Sequence, residues 1–181
     1  MFRCFVAATA ALLAVAPASA QNRPAAASQA NTMAATTSAH PAEPSLAGTW
    51  TYRSYVNTPQ LVGGDPNNAL NIIFGEGVYT LEMPSKTTVK GTLDMGGGFV
   101  LDLAGEVQPG PCDQLFFRIN GSGRAGTPTD GWEYDYMGVS ACRWPNGVNQ
   151  VPSLVGTVIR AKPHDGAPAG VTASFIAVRQ P

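Results

Sequence analysis

The chain carries little with which to hold a metal ion, a nucleic acid or a membrane. Cysteine occurs three times and histidine twice in 181 residues, with no zinc, EF-hand or Ser-His-Asp spacing among them. The usual metal centres and hydrolytic triads are therefore not expected. Charge is sparse as well: 13% of residues, eleven Lys and Arg against twelve Asp and Glu, with no long run of either sign. A nucleic-acid or anionic-membrane surface needs a basic patch, and the sequence has none. Beyond the N-terminus no stretch approaches the ~20 apolar residues that cross a bilayer, so membrane insertion is not expected. The glycine-rich stretches GEGVYTLEMP, DMGGGF and GSGRAGTP lack the strand-loop-helix setting and the lysine of a phosphate cradle, and read as hairpin glycines. No cofactor is implied. Absent too is any helical stripe of apolar residues over a window of about a dozen positions.

What is present begins with an export signal. MFRCFVAATAALLAVAPASA has Arg3 ahead of an apolar run from Phe5 to Ala16 and the small-residue pattern Ala18-Ser19-Ala20, the layout of a secretory signal peptide over residues 1–20. Cys4 precedes the apolar run, which excludes a lipoprotein cleavage site. Residues 21–44 are dominated by Ala, Ser, Thr and Pro and read as a disordered linker, too poor in large apolar side chains to offset ordering entropy. His40 lies in it and reads as solvated. Residues 45–181 suit one domain, exported to the periplasm or the extracellular space. With the signal removed, Cys112 and Cys142 are the remaining cysteines. In an oxidising compartment they read as a disulfide, stabilising by roughly 3 to 4 kcal/mol through a loop of about 30 residues.

Within that domain, period-two alternation recurs between turn residues. Nine stretches read as strands: 48–56, 69–75, 77–84, 87–95, 98–107, 114–121, 131–141, 153–163 and 170–180. Short antiparallel strands with short connections predict an all-β fold, a single up-and-down β-barrel of about eight strands, with a two-sheet β-sandwich as the alternative. Two longer loops interrupt the hairpins. NTPQLVGGDPNN holds Asp65 and Pro66, a helix cap and a first helical position. RWPNGVNQVP holds Trp144, Asn146, Asn149 and Gln150, an aromatic wall with amides suited to a polar small molecule. Its equal alternative is plain packing of Trp144 beside Cys142 and Pro145, with Asn146-Gly147 as a turn. His164, in AKPHDG, reads as an exposed turn residue, and Asn120-Gly-Ser122 is a formal glycosylation acceptor.

LAGTWTYRS, with Gly-x-Trp opening the first strand, resembles the start of the calycin group, which includes lipocalins and avidins. The resemblance implies a calycin-like barrel with Trp50 plugging one end and a late basic residue, Arg179 in FIAVRQ, laid across it. Avidin-type strands carry an asparagine and a serine where this chain has Tyr52 and Val56. Biotin binding is therefore not implied.

If Trp50 faces inward, so do Tyr52, Ser54 and Val56. On the sixth candidate strand Leu115, Phe117 and Ile119 pack inward, and the cover role for Arg179 places Phe175 and Ala177 inside. In GWEYDYMGVSA, the choice lies between burying Trp132, Tyr134 and Tyr136 or burying Glu133 and Asp135. The aromatic face is favoured, because two like charges inside would cost several kcal/mol each unless arginines such as Arg118 or Arg160 answer them. Three functions follow. The first is a barrel holding a small, partly apolar ligand between Tyr52, Trp132, Tyr134 and Tyr136, with Trp144 and Asn146 at a mouth. The second is a cofactor-free barrel cyclase, isomerase or lyase with Tyr134, Glu133 or Asp135 as acid and base, or with a phenol set that adds Tyr52, Tyr79 and Tyr136. The third is a structural or partner-binding envelope protein. Oligomer formation is left open.

Overall fold

Alternation in the sequence becomes alternation in burial, strand by strand. The computed structural model describes residues 44–142 and 150–181. In β1, Gly48–Val56, Trp50, Tyr52 and Ser54 are buried while Thr51 and Arg53 are exposed. The same rhythm runs through β2, Ile73–Ser85; β3, Thr88–Asp94; β4, Val100–Pro109; β5, Leu115–Gly123; β6, Glu133–Ser140; β7, Ser153–Arg160; and β8, Thr172–Arg179. Each strand pairs antiparallel with the next and β8 closes onto β1. The molecule is thus a single calycin-like up-and-down barrel of eight strands, and the sandwich is excluded because no sheet edge is left open.

Nine expected strands become eight because the stretch 69–75 is not one of them. Pro66–Ile72 is a 3-10 helix, capped by the Asp65 carboxylate accepting from the Asn67 amide at 2.9 Å. The strand begins only at Ile73 and runs on through Gly75 and Gly77. Gly77 does not break it: a Cβ there would lie 2.5 Å from the Asp94 carbonyl oxygen, so the residue admits close approach of β3.

The interior is closed by a row that crosses four strands, Phe117–Gly138–Gly156–Phe175. A Cβ on Gly138 would meet the Phe117 ring at 2.5 Å and one on Gly156 the Phe175 ring at 2.8 Å. The two rings lie over the two glycines, with centroids 6.3 Å apart. The remaining core is aliphatic and aromatic, with Leu46, Trp50, Leu93, Leu101, Leu154 and Val158 almost fully buried. Outward positions of β2 to β4 carry Glu76, Glu82, Lys90 and Asp102, a charged face unlike a lipid-facing belt.

The expected disulfide is not formed: Cys112 and Cys142 are free thiols. Cys112 sits in the turn Pro111–Asp113 at φ 55, held by the Gly110 amide on the Gln114 carbonyl and the Gln114 amide on the Pro111 carbonyl. That tight turn sets the direction in which the Cys112 side chain leaves the backbone, and the two sulfurs are not joined. Burial first, and Cys112 second, pushes the Cys142 thiol up.

Candidate functional site

Antiparallel order gives the barrel two ends of different composition. At the end where β1 starts and β8 finishes, Trp50 is paired in register with Arg179, whose guanidinium carbon lies 5.5 Å from the indole centre. The Trp50 indole N–H donates to the Leu46 carbonyl at 2.9 Å, and Leu46 is itself fully buried. Trp50 and Arg179, the two residues singled out by the calycin resemblance, are thus in contact at this end. The segment with Trp144 and Asn146 lies outside the described residues.

From that plug an aromatic column fills the interior. Tyr52 packs against Tyr79 at 4.8 Å, Phe175 at 5.6 Å and Tyr136 at 6.2 Å between ring centroids. Burial pushes the phenols of Tyr52, Tyr79 and Tyr136 well above their ordinary value, so all three are neutral donors. Tyr52 and Tyr136 pack against other rings inside the barrel.

The column ends at the opposite mouth, where β2, β6 and β7 and the β7–β8 connection converge. Tyr134, the outermost inward tyrosine of β6, touches Tyr136 and Trp132 at 6.4 Å each and meets Phe74 edge-on at 6.0 Å. Phe99, from the β3–β4 hairpin, lies 5.8 Å from Trp132. Over this floor stands His164, held by a small loop in which its amide and carbonyl bond those of Ala167. Its imidazole stacks on Trp132 at 3.9 Å and 17°. Only 10% of its side chain is exposed. The expectation of an exposed turn residue is overturned, because the loop folds back across the barrel mouth and exchanges water for an indole face.

The hydrogen bonds around His164 fix its tautomer. Arg160 Nε donates to Nε2 at 3.2 Å, and a guanidinium cannot accept, so Nε2 is unprotonated. The Tyr134 hydroxyl, 2.6 Å from the same nitrogen, is then a second donor to it. The proton must sit on Nδ1, which is buried and has no hydrogen-bond partner; the Asp165 carboxylate lies 3.6 Å away. Burial, then Arg160, holds the imidazole pKa below its ordinary 6.5, against the opposing pull of Asp165. Asp165 takes up a left-handed backbone, φ 49, to reach this place. Burial also raises the Tyr134 phenol, with Arg160 pulling the other way. Arg160 itself lies 5.2 Å above the Phe74 ring and donates from Nη1 to the Pro168 carbonyl at 3.3 Å. Among the described residues it has no carboxylate within 4.0 Å.

The carboxylate candidates lie on the other face. Glu133 pairs with Lys162 at 2.5 Å, which lowers its pKa, and accepts from the Asn120 amide at 3.3 Å; Asp135 accepts from the same amide at 3.1 Å. Arg118 is outward and exposed, so no buried acid-base pair forms on β6. His164 and Arg160 are the residues that sequence reasoning undervalued. The available signal was Trp132 and Tyr134 sharing an inward face at a strand end, a surface that some loop had to cover.

No family model, curated protein or solved structure matches the chain.

Proposed function

We propose that this chain is an exported barrel that binds a small, partly apolar molecule bearing a carboxylate or carbonyl, held at the mouth beside Tyr134 and His164. The observation that carries this reading is the corner at His164. A buried N–H donor without a partner is costly, by about 1 to 3 kcal/mol, and an acceptor group on a ligand would remove that cost. Beside it stands Arg160, a cation with no carboxylate within 4.0 Å among the described residues, and around both lie the rings of Phe74, Trp132 and Tyr134. Polar groups that converge within an aromatic wall are the composition of a small-molecule site.

The test is a thermal-shift series on the full chain with small aromatic and aliphatic carboxylic acids, their amides and their alcohols. At a hundredfold excess over Kd a ligand adds about 2.7 kcal/mol, a shift of several degrees. Acids and amides are expected to shift the melting temperature and to lose their effect in H164F, while alcohols act weakly. Melting curves unmoved by every class would sink the reading.

One observation favours a second reading, acid-base catalysis by Tyr134. The Tyr134 hydroxyl lies 2.6 Å from His164 Nε2, an unprotonated nitrogen that can take the phenolic proton, and Arg160 at 3.2 Å from that nitrogen would steady the phenolate left behind. Exchange of a bound ligand's acidic C–H for deuterium, followed by NMR, would be abolished in Y134F. Exchange that persists in Y134F removes it.

A further inference from the structure

On the outside of the barrel a second row crosses the same four strands, Phe116–Val139–Val155–Ile176. Phe116 is 46% exposed, Val155 39% and Ile176 41%, with Met137 beside them at 44%. Single exposed apolar residues need no explanation, but adjacent ones in register across β5 to β8 form a contiguous patch. The outward side chains of β2 to β4, by contrast, are largely polar or charged. The patch also has relief. A groove of about 560 Å³ runs between Phe116, Met137, Val139 and Val155 above the two glycines of the inner row, bounded on the β4 side by Glu106 and Arg118.

Those two charges suggest what covers it. Some outward charges pair within the chain, Arg53 with Glu76, Lys90 with Glu82 at 3.2 Å and Arg124 with Asp102 at 2.5 Å, while others such as Asp94 and Asp135 make no ion pair among the described residues. Glu106 and Arg118 stand opposite each other in the β4–β5 register, yet neither makes an ion pair within 4.0 Å among the described residues. One acid and one base at the edge of an apolar groove is a self-complementary rim, because a two-fold axis brings residue i of one copy to residue j of the other and j to i.

We propose that this face joins two copies of the chain about a two-fold axis, the Phe116 of each entering the groove of the other and each Arg118 meeting the Glu106 opposite. The surface lies on the barrel wall, away from the mouth at His164, so it does not depend on the binding reading. An apolar centre with a charged rim is the usual composition of such an interface.

Sedimentation equilibrium of the full chain tests it. The expected result is twice the mass of one chain, falling to one chain in V155E with the melting temperature of the barrel retained. Should V155E fail to fold, F116S carries the same test with a smaller perturbation. E106R and R118E singly are each expected to weaken association by about tenfold through like-charge contact, and the double exchange E106R/R118E to restore it. A wild-type chain that stays at one copy up to on the order of 100 μM overturns the proposal. A dimer that survives V155E and F116S, or a double exchange no better than the singles, overturns it equally.

Discussion

The two ends of the barrel each set an arginine over an aromatic ring and put the arrangement to different use. At one end Arg179 covers Trp50, whose only polar atom is satisfied by the Leu46 carbonyl. Among the described residues no buried side-chain polar atom is left without a partner there. At the other end Arg160 covers Phe74 and also bonds an imidazole, which leaves one buried N–H without an acceptor. Among the described residues the first end satisfies its indole N–H within the chain, whereas the second leaves one imidazole N–H unmatched. What distinguishes the two ends is therefore not the cation over the ring but the unmatched polar atom beside it.

The largest effect should come from breaking the complete end. W50A removes the largest fully buried side chain and orphans the Leu46 carbonyl, and is expected to cost about 3 to 5 kcal/mol in urea unfolding. W132A should cost clearly less, because Trp132 is already partly open to water and loses chiefly its stack on His164. Equal losses at the two positions would mean that the mouth is as much core as the plug, and would erase the distinction.

The plug end was legible in the sequence, and the reason is local. Trp50, Tyr52 and Arg179 lie on strands whose faces alternate strictly, so one inward anchor assigns every other residue on its strand. The same logic placed Tyr134 and Tyr136 inside and Glu133 and Asp135 outside. His164 was not legible, because its burial is decided by a loop that returns across a strand end to meet a tyrosine 30 residues earlier. No periodicity reports such a contact. Gly75 and Gly77 misled in the opposite direction, reading as a break between strands where both lie within one and Gly77 admits close approach of β3.

The next effect sharpens the mouth. Y134F removes one of the two donors to His164 Nε2 while Arg160 keeps the other, so stability should fall by about 0.5 to 1.5 kcal/mol in thermal unfolding. Any ligand that shifts the wild-type melting temperature should shift that of Y134F far less. A variant that unfolds early but binds normally would assign the phenol to packing alone.

Acid distinguishes the ends further. His164 is held neutral in the folded chain below its ordinary 6.5, so the unfolded chain binds its proton first as pH falls. Folding stability attributable to this residue is whole above about pH 6.5 and declines as pH falls through the lower folded value. The melting temperature of the wild type should therefore drop between about pH 7 and pH 5 more than that of H164F, the difference arising at the mouth. Parallel pH curves for the two proteins would show that the imidazole titrates freely and that its burial has no energetic weight.

The smallest and most discriminating change is made at both arginines. R179Q removes a cation from an indole at an exposed site, an expected loss of about 0.5 to 1 kcal/mol, with no effect on ligand shifts. R160Q removes a cation from a phenyl ring at nearly the same distance, 5.2 Å against 5.5 Å, so the ring contact alone predicts a similar or smaller loss. Its larger consequence should be on binding, where an acidic ligand loses its counter-charge and a neutral amide of the same shape does not. The ratio of acid to amide affinity should thus collapse in R160Q and stay unchanged in R179Q. If both variants leave that ratio alone, Arg160 is a second cover like Arg179 and the acceptor specificity rests on His164 Nδ1 by itself.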